Sequence, residues 1–168
     1  SDVDGTLVPD GGHDLNPEYF TQIRRLKRNG ILFAAVSGRP YTSLRRLFAP
    51  VEDDILFICD NGACTIYRGS LLSCCCLPHS LAFEIIRDIE ALPGCTSYIS
   101  TLENGYVRKE AEELYRWLTE GYQLNITRLD RLPEDIPARE KILAVELYHP
   151  NAAEEAAGQG FYRKWHGH

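Results

Sequence analysis

The chain has no methionine, only two tryptophans and, among its six cysteines, no CxxC pair. Cys74, Cys75 and Cys76 are consecutive, and neighbours in an extended segment point to opposite faces, so the triplet is a poor tetrahedral chelate. With Cys59, Cys64 and Cys95 they are expected to be reduced thiols packed as small apolar groups in a cytoplasmic protein. No apolar run approaches the roughly 18–20 residues of a membrane span, and no signal-peptide pattern occurs, so no membrane is expected as a partner. A basic stripe is also lacking. The formal charge is −6, and IRRLKR and LRRLF read as solvated helix faces, which argues against nucleic acid. The start at Ser1 without methionine, and the end at WHGH without a stop signal for the preceding helical pattern, lead us to expect a longer natural protein.

What is present is ordinary for a globular chain: 44% apolar and 25% charged residues over 168 positions. A chain of that length buries on the order of 70% of its unfolded surface. After a turn-rich GTLVPDGG loop, Asn16, Pro17 and Glu18 predict a helix start, with Phe20, Ile23 and Leu26 on its buried side, Ile31 beyond its end, and Gly30 as its stop. ILFAAV (31–36) reads as a strand buried on both faces; SGRP then opens a helix through Leu44, Leu47 and Phe48. ILFIC (55–59) is a second buried strand, ending in DNGA. Strand and helix in this alternation predict a parallel sheet with right-handed crossovers.

The pattern then changes. A hairpin is expected to turn on Gly69 and a second around Asn104-Gly105. Helical spacing at Leu81, Ile85, Ile89 and Leu92 marks residues 80–92; EAEELYRWL is helical, and KILAVELYH (141–149) is a strand. A last helix is expected to break near Gly158 and Gly160. We expect a core over residues 1–77 and an α+β module over 78–168.

Chemistry concentrates at the start, where Asp2 and Asp4 stand one residue apart in DVDGTL. A calcium loop beginning at Asp2 would need Gly at its sixth position and Glu at its twelfth; Leu7 and His13 stand there, so that reading fails. Asp2-Val3-Asp4-Gly5-Thr6-Leu7 resembles the first motif of the haloacid dehalogenase superfamily of phosphotransferases. Ser37 after ILFAAV resembles its second motif. Ser37-Gly38-Arg39-Pro40 with Ile58, Asn61, Gly62 and Ala63 resembles the Cof-type (subfamily IIB) sugar-phosphatase branch. The resemblance implies an α/β fold with a Rossmann-like core and an inserted α+β cap. It also implies a phosphatase of small phosphorylated metabolites.

On that basis Asp2 would attack phosphorus, and Asp4 would protonate the leaving oxygen and later activate water. Asp4 is expected to be raised by its carboxylate neighbour. Magnesium is implied as cofactor, on the Asp2 carboxylate and the Asp4 main-chain carbonyl. The Gly5 and Thr6 amides are expected to form a phosphate nest, and Ser37 to donate to the phosphoryl group. Gly38, Arg39, Asn61 and Gly62 complete the candidate phosphate and substrate set. Arg39 either reaches substrate or pairs with an acidic neighbour, and Asn61-Gly62 is either a ligand contact or a plain turn.

His13 reads as a surface histidine, His166 and His168 as tail residues, and Trp117 and Tyr115 as cap core. The family's charge-neutralising lysine has no counterpart in context, since neither Lys141 nor Lys164 fits, and its GDxxxD acidic pair is absent. The alternatives are a non-catalytic phospho-ligand-binding homologue and a phosphomutase. Physiological substrate and oligomeric state have no signal in the sequence.

Overall fold

The computed structural model describes residues 1–9 and 12–166, which divide into two compact units. The first comprises Ser1–Cys75 with Thr119–Leu124, the second Cys76–Leu118 with the chain from Asn125 onward. His168, half of the HxH pair, lies outside the described residues.

In the first unit Asn16 caps α1 (Pro17–Arg28): its side-chain oxygen accepts the Glu18 amide at 3.0 Å, and Pro17 has no amide to leave unsatisfied. Gly30 reverses the chain at φ 76°. β1 (Phe33–Val36) runs parallel to β2 (Ile55–Cys59), with α2 (Tyr41–Leu47) in the crossover. β3 (Cys64–Tyr67) and β4 (Ser70–Cys74) add antiparallel strands through a turn at Arg68 and Gly69, both at positive φ. The sheet order is β1-β2-β3-β4, so the expected parallel pairing is present in β1–β2 and the sheet is mixed. Phe48, fully buried, lies 6.3 Å from the Phe33 ring and 6.2 Å from Phe57, with Leu44, Ile55 and Val3 completing the core.

β1 is less buried than its apolar run predicts. Ala35 is inaccessible, but Ile31 and Leu32 just before the strand and Val36 at its end are 53%, 51% and 39% exposed. β1 is the outermost of the four strands, and on its far side the described chain provides a bridge from Asp2 to Val36.

The second unit builds a sheet in the order β7-β6-β5-β8 from β5 (Thr96–Thr101), β6 (Gly105–Arg108), β7 (Ile126–Leu129) and β8 (Ile142–Tyr148). β6 and β7 are parallel and the other neighbours antiparallel. β7 has no counterpart in the sequence reading, because ITRL is four residues long and carries no fully buried position. α3 (His79–Glu90) buries Ala82, Ile86 and Ile89, while the predicted Leu81 and Ile85 are half-buried. Two apolar stripes run side by side on this helix. Periodicity does not choose between them, and contact with Ile99, Tyr106 and Ile142 of the cluster does.

α4 (Glu112–Arg116) buries Leu114 and runs into a wide turn, Trp117–Gly121, that buries Leu118. Trp117, expected in the core, is instead 50% exposed with its ring 6.1 Å from Tyr148, and Tyr115 is half-buried beneath the Arg128 guanidinium. The reason is the α4 register, which turns the two leucines inward. α5 (Ala153–Trp165) breaks at Gly158, φ 64°, as expected. None of the six cysteines is disulfide-bonded. Among the described residues no helix is long and apolar enough to cross a membrane.

One polar cluster ties α3 to β5 and β6. Glu90 Oε1 accepts from the Ser97 amide at 2.8 Å, Ser97 Oγ at 3.0 Å and Thr96 Oγ1 at 3.2 Å. Its other oxygen faces Arg108 Nε at 3.2 Å as an ion pair without hydrogen-bond alignment. Removing that carboxylate strands several donors. Glu90→Ala is expected to lower stability by about 2 kcal/mol, and Asn16→Ala by about 1 kcal/mol through loss of the α1 cap. Urea denaturation checks both; a midpoint unchanged in either variant would contradict the role given to that residue.

Candidate active site

β1 and β2 end side by side, and the loops that leave them meet the DVDGTL segment at the carboxyl edge of the sheet, where open α/β sheets place ligands. Alternation along Asp2-Val3-Asp4 sends Val3, 0% exposed, into the core and leaves the aspartates facing out. The Val3 carbonyl accepts the amides of Thr6, Leu7 and Val8, and the Gly5 amide donates to Val8 O at 2.8 Å. Gly5 has φ 72°, a conformation that favours glycine. Here the Gly5 and Thr6 amides, expected as a phosphate nest, donate within their own loop to Val8 O and Val3 O. Thr6 instead acts through its hydroxyl, which donates to Asp2 Oδ2 at 2.8 Å.

Asp4 sits in a different environment. Arg39 meets it side-on, with Nη2 2.6 Å from Oδ1 and Nε 2.9 Å from Oδ2. Ser37 Oγ approaches Oδ2 at 3.3 Å and itself accepts the Arg39 amide at 3.1 Å. The sequence led us to expect a carboxylate neighbour for Asp4; among the described residues the Arg39 guanidinium meets its carboxylate. Arg39 itself is only 4% exposed. Its Nη2 also donates to Gly12 O at 2.9 Å, and its Cζ lies over the Tyr122 ring, 5.1 Å from the ring centre.

A second loop buttresses the first. The Ser37 amide donates to Ile58 O, the Asn61 amide to Ser37 O and the Asp60 amide to Arg39 O. Asp60 and Asn61 are both in the left-handed region, φ 49° and 54°, and Gly62 follows at 95°. Asn61 packs against Gly38 so closely that a Cβ on Gly38 would lie 3.0 Å from Asn61 Oδ1. Behind the loop Cys59 and Cys64 face each other across β2 and β3, both inaccessible. The hydrogen bond between these two thiols, reinforced by burial, holds Cys59 well above the usual thiol range.

Asp4, Ser37 and Arg39 thus form one hydrogen-bonded group, Gly38 and Asn61 brace it, and Asp2 with Thr6 lies two residues away in the chain. His13 is exposed on the loop; His166 caps α5 against Tyr162, and Lys164 pairs with Asp88 at 2.6 Å, both in the second unit. Two participants escaped the sequence reading. Asp60 is 6% exposed, signalled only by being an acid before Asn-Gly at a strand end. Tyr122 lies far along the chain in a segment with no motif. Among the described residues no three His, Cys, Asp or Glu side chains gather as a metal cluster.

The family model described as haloacid dehalogenase-like hydrolase matches residues 1–166. The phosphatase YbjI of Escherichia coli, named for 5-amino-6-(5-phospho-D-ribitylamino)uracil, is 22% identical over 137 residues, 80% of this chain and 51% of that protein. Phosphoglycolate phosphatase 1 of Saccharolobus solfataricus is 29% identical over 123 residues, 71% of this chain and 53% of its own length. The chain spans about half the length of these curated relatives. A solved protein from Eubacterium rectale superposes with a TM-score of 0.84 at 27% identity, covering 98% of this chain and 62% of its own. The subclass IIB sugar phosphatase BT4131 shares the fold, with a TM-score of 0.60 at 17% identity over 76% of this chain and 50% of its own. The expected α/β fold with a Rossmann-like core is borne out. With its DVDGTL loop at the sheet edge and a family match running almost end to end, the chain belongs to the haloacid dehalogenase-like hydrolases.

Proposed function

We propose that the protein is a magnesium-dependent phosphatase of small phosphorylated metabolites, working through an aspartyl-phosphate on Asp2. We assign residues 1–77 to the catalytic core and 78–168 to the cap, with the Thr119–Leu124 segment of the latter stretch grouped with the first compact unit. The observation that carries the reading is the pairing of Asp4 with Ser37 and Arg39 beside an Asp2 held by Thr6.

The chemistry runs in two halves. An Asp2 carboxylate oxygen attacks phosphorus, the bond to the leaving oxygen breaks, and that oxygen takes a proton from Asp4. Water then attacks the aspartyl-phosphate and gives a proton to Asp4; the bond to Asp2 breaks and phosphate leaves. Arg39 is the ion-pair partner of the Asp4 carboxylate that accepts the proton in the second half. Ser37 Oγ, only loosely bonded to Asp4 at 3.3 Å, is free in energetic terms to turn to a phosphoryl oxygen. Asn61, braced on Gly38, keeps the Ser37 loop in place.

Magnesium suits the donors at this point. Asp2 is an exposed carboxylate and the Asp4 main-chain carbonyl is a second hard oxygen, and magnesium takes one or two carboxylates while retaining waters. The Asp4 carboxylate, occupied by Arg39, is not one of them. When bound there, the ion supplies neutralisation of the charge on the transferring group. The named relatives act on a ribitylaminouracil phosphate, phosphoglycolate and sugar phosphates, which supports a small organic monoester as substrate class.

A phosphate-release screen on the full-length protein with magnesium tests the reading. Asp2→Asn is expected to reduce turnover at least about a thousandfold. Hydrolysis that survives the change removes Asp2 as nucleophile, while an isomerised phosphate without release makes the protein a phosphomutase. Binding of phosphorylated ligands with no turnover at full length would make it a non-catalytic homologue. Gly38→Ala pushes a methyl onto Asn61 and displaces the Ser37 loop; turnover is expected to fall about 10- to 100-fold with the fold retained. Wild-type kinetics in that variant would contradict the bracing role.

A further inference from the structure

Arg39 is a buried cation whose nitrogens and central carbon meet different parts of the chain. The nitrogens are met by Asp4 and Gly12 O, with Ser43 Oγ at 3.5 Å from Nη1. The guanidinium carbon lies over the ring of Tyr122, a residue of the Thr119–Leu124 segment that the first unit includes although it is remote in sequence. That segment is gripped through its backbone. Ser43 Oγ donates to Tyr122 O at 3.1 Å, and Arg46, one turn further along α2, donates to Gln123 O. Gln123 holds a left-handed φ of 54°, and Leu124 is buried beside it. The Tyr122 ring is therefore delivered to the guanidinium by contacts that do not involve the ring.

We infer that Tyr122 is a positioning residue for proton transfer at Asp4. Its ring holds the Arg39 plane in the orientation that bonds both Asp4 oxygens. The inference rests on Asp4 as the proton-transfer group. A guanidinium within about 6 Å of an aromatic face is attracted to it, and the attraction is stronger out of water, as it is for Arg39 at 4% exposure. Without the ring, Arg39 keeps its charge but loses the constraint on its plane, and Asp4 loses the side-on partner that aims it. The segment stays in place, since Ser43 and Arg46 hold carbonyl oxygens that every residue has.

Leaving-group chemistry separates positioning from simple packing. A sugar or other alkyl phosphate needs its leaving oxygen protonated by Asp4. The p-nitrophenyl group leaves as a stable anion and does not. In the full-length protein with magnesium, Tyr122→Leu is expected to lower kcat/KM for an alkyl phosphate about five- to tenfold more than for p-nitrophenyl phosphate. Tyr122→Phe, which keeps the ring, is expected to restore the ratio. An equal loss on both substrates, or no loss on either, would overturn the inference.

A second measurement does not need turnover: hydrogen exchange of the Arg39 Nε–H by NMR. Exchange is expected to quicken in Tyr122→Leu and in the longer, unbranched Tyr122→Met, and to match wild type in Tyr122→Phe. If the wild-type protein releases no phosphate, the phosphatase reading fails and exchange alone still decides the clamp. Unchanged exchange in both ring-deleted variants refutes it.

Discussion

A guanidinium almost fully withdrawn from water has to find partners for its donors, and around Arg39 that demand organises the whole sheet edge. Asp4 takes two of its nitrogens, Gly12 O shares one, and the Tyr122 ring lies beneath its Cζ. Each partner belongs to a different stretch of chain. Satisfying one cation therefore fixes the DVDGTL loop, the loop before α1 and a segment eighty residues on. The arginine backbone is used as well: its amide donates to Ser37 Oγ and its carbonyl accepts from Asp60. Loss of this one side chain would leave a carboxylate, a carbonyl and an aromatic face without their common partner.

The two aspartates that open the chain are chemically alike and placed unlike. Asp2 is exposed and bonded by the neutral Thr6 hydroxyl, and in the proposed mechanism it is the carboxylate open to a hard cation and to attack. Asp4, two residues on, is half-buried and charge-paired. Such divergence between neighbouring carboxylates is how one site obtains two roles from one residue type. Val3, packed in the core between them, enforces the division by holding the alternation of the strand end.

Glycine and left-handed residues mark where the backbone is asked for something unusual. Gly5 turns the first loop, while Gly38 makes room for the Asn61 side chain. Asp60 and Asn61 accept positive φ without being glycine, a cost expected where a loop is held by its surroundings for a purpose. Here the surroundings are visible, since both their amides donate to the Ser37–Arg39 loop.

Much of this was legible from residue order alone, because the signals involved are local. Asn16-Pro17-Glu18 specifies a helix start through its own backbone, Gly69 and Asn104-Gly105 specify turns, and DVDGTL with Ser37 carries its chemistry in spacing. The face that α3 buries, the exposure of Ile31 and Leu32, and the outward turn of Trp117 were not legible, because each depends on what packs opposite. β7 was missed for a related reason: a four-residue strand with polar positions is stabilised by pairing with β6 rather than by its own pattern. Sequence by itself determined the acidic motif, its candidate roles and the local elements that present it. Only the tertiary structure decided that Asp4 faces Arg39, that the Gly5 and Thr6 amides close their own loop, and that Tyr122 belongs at the site. Those are contacts between residues distant in the chain, and no local spacing encodes which hydrogen-bond donor or aromatic face will arrive.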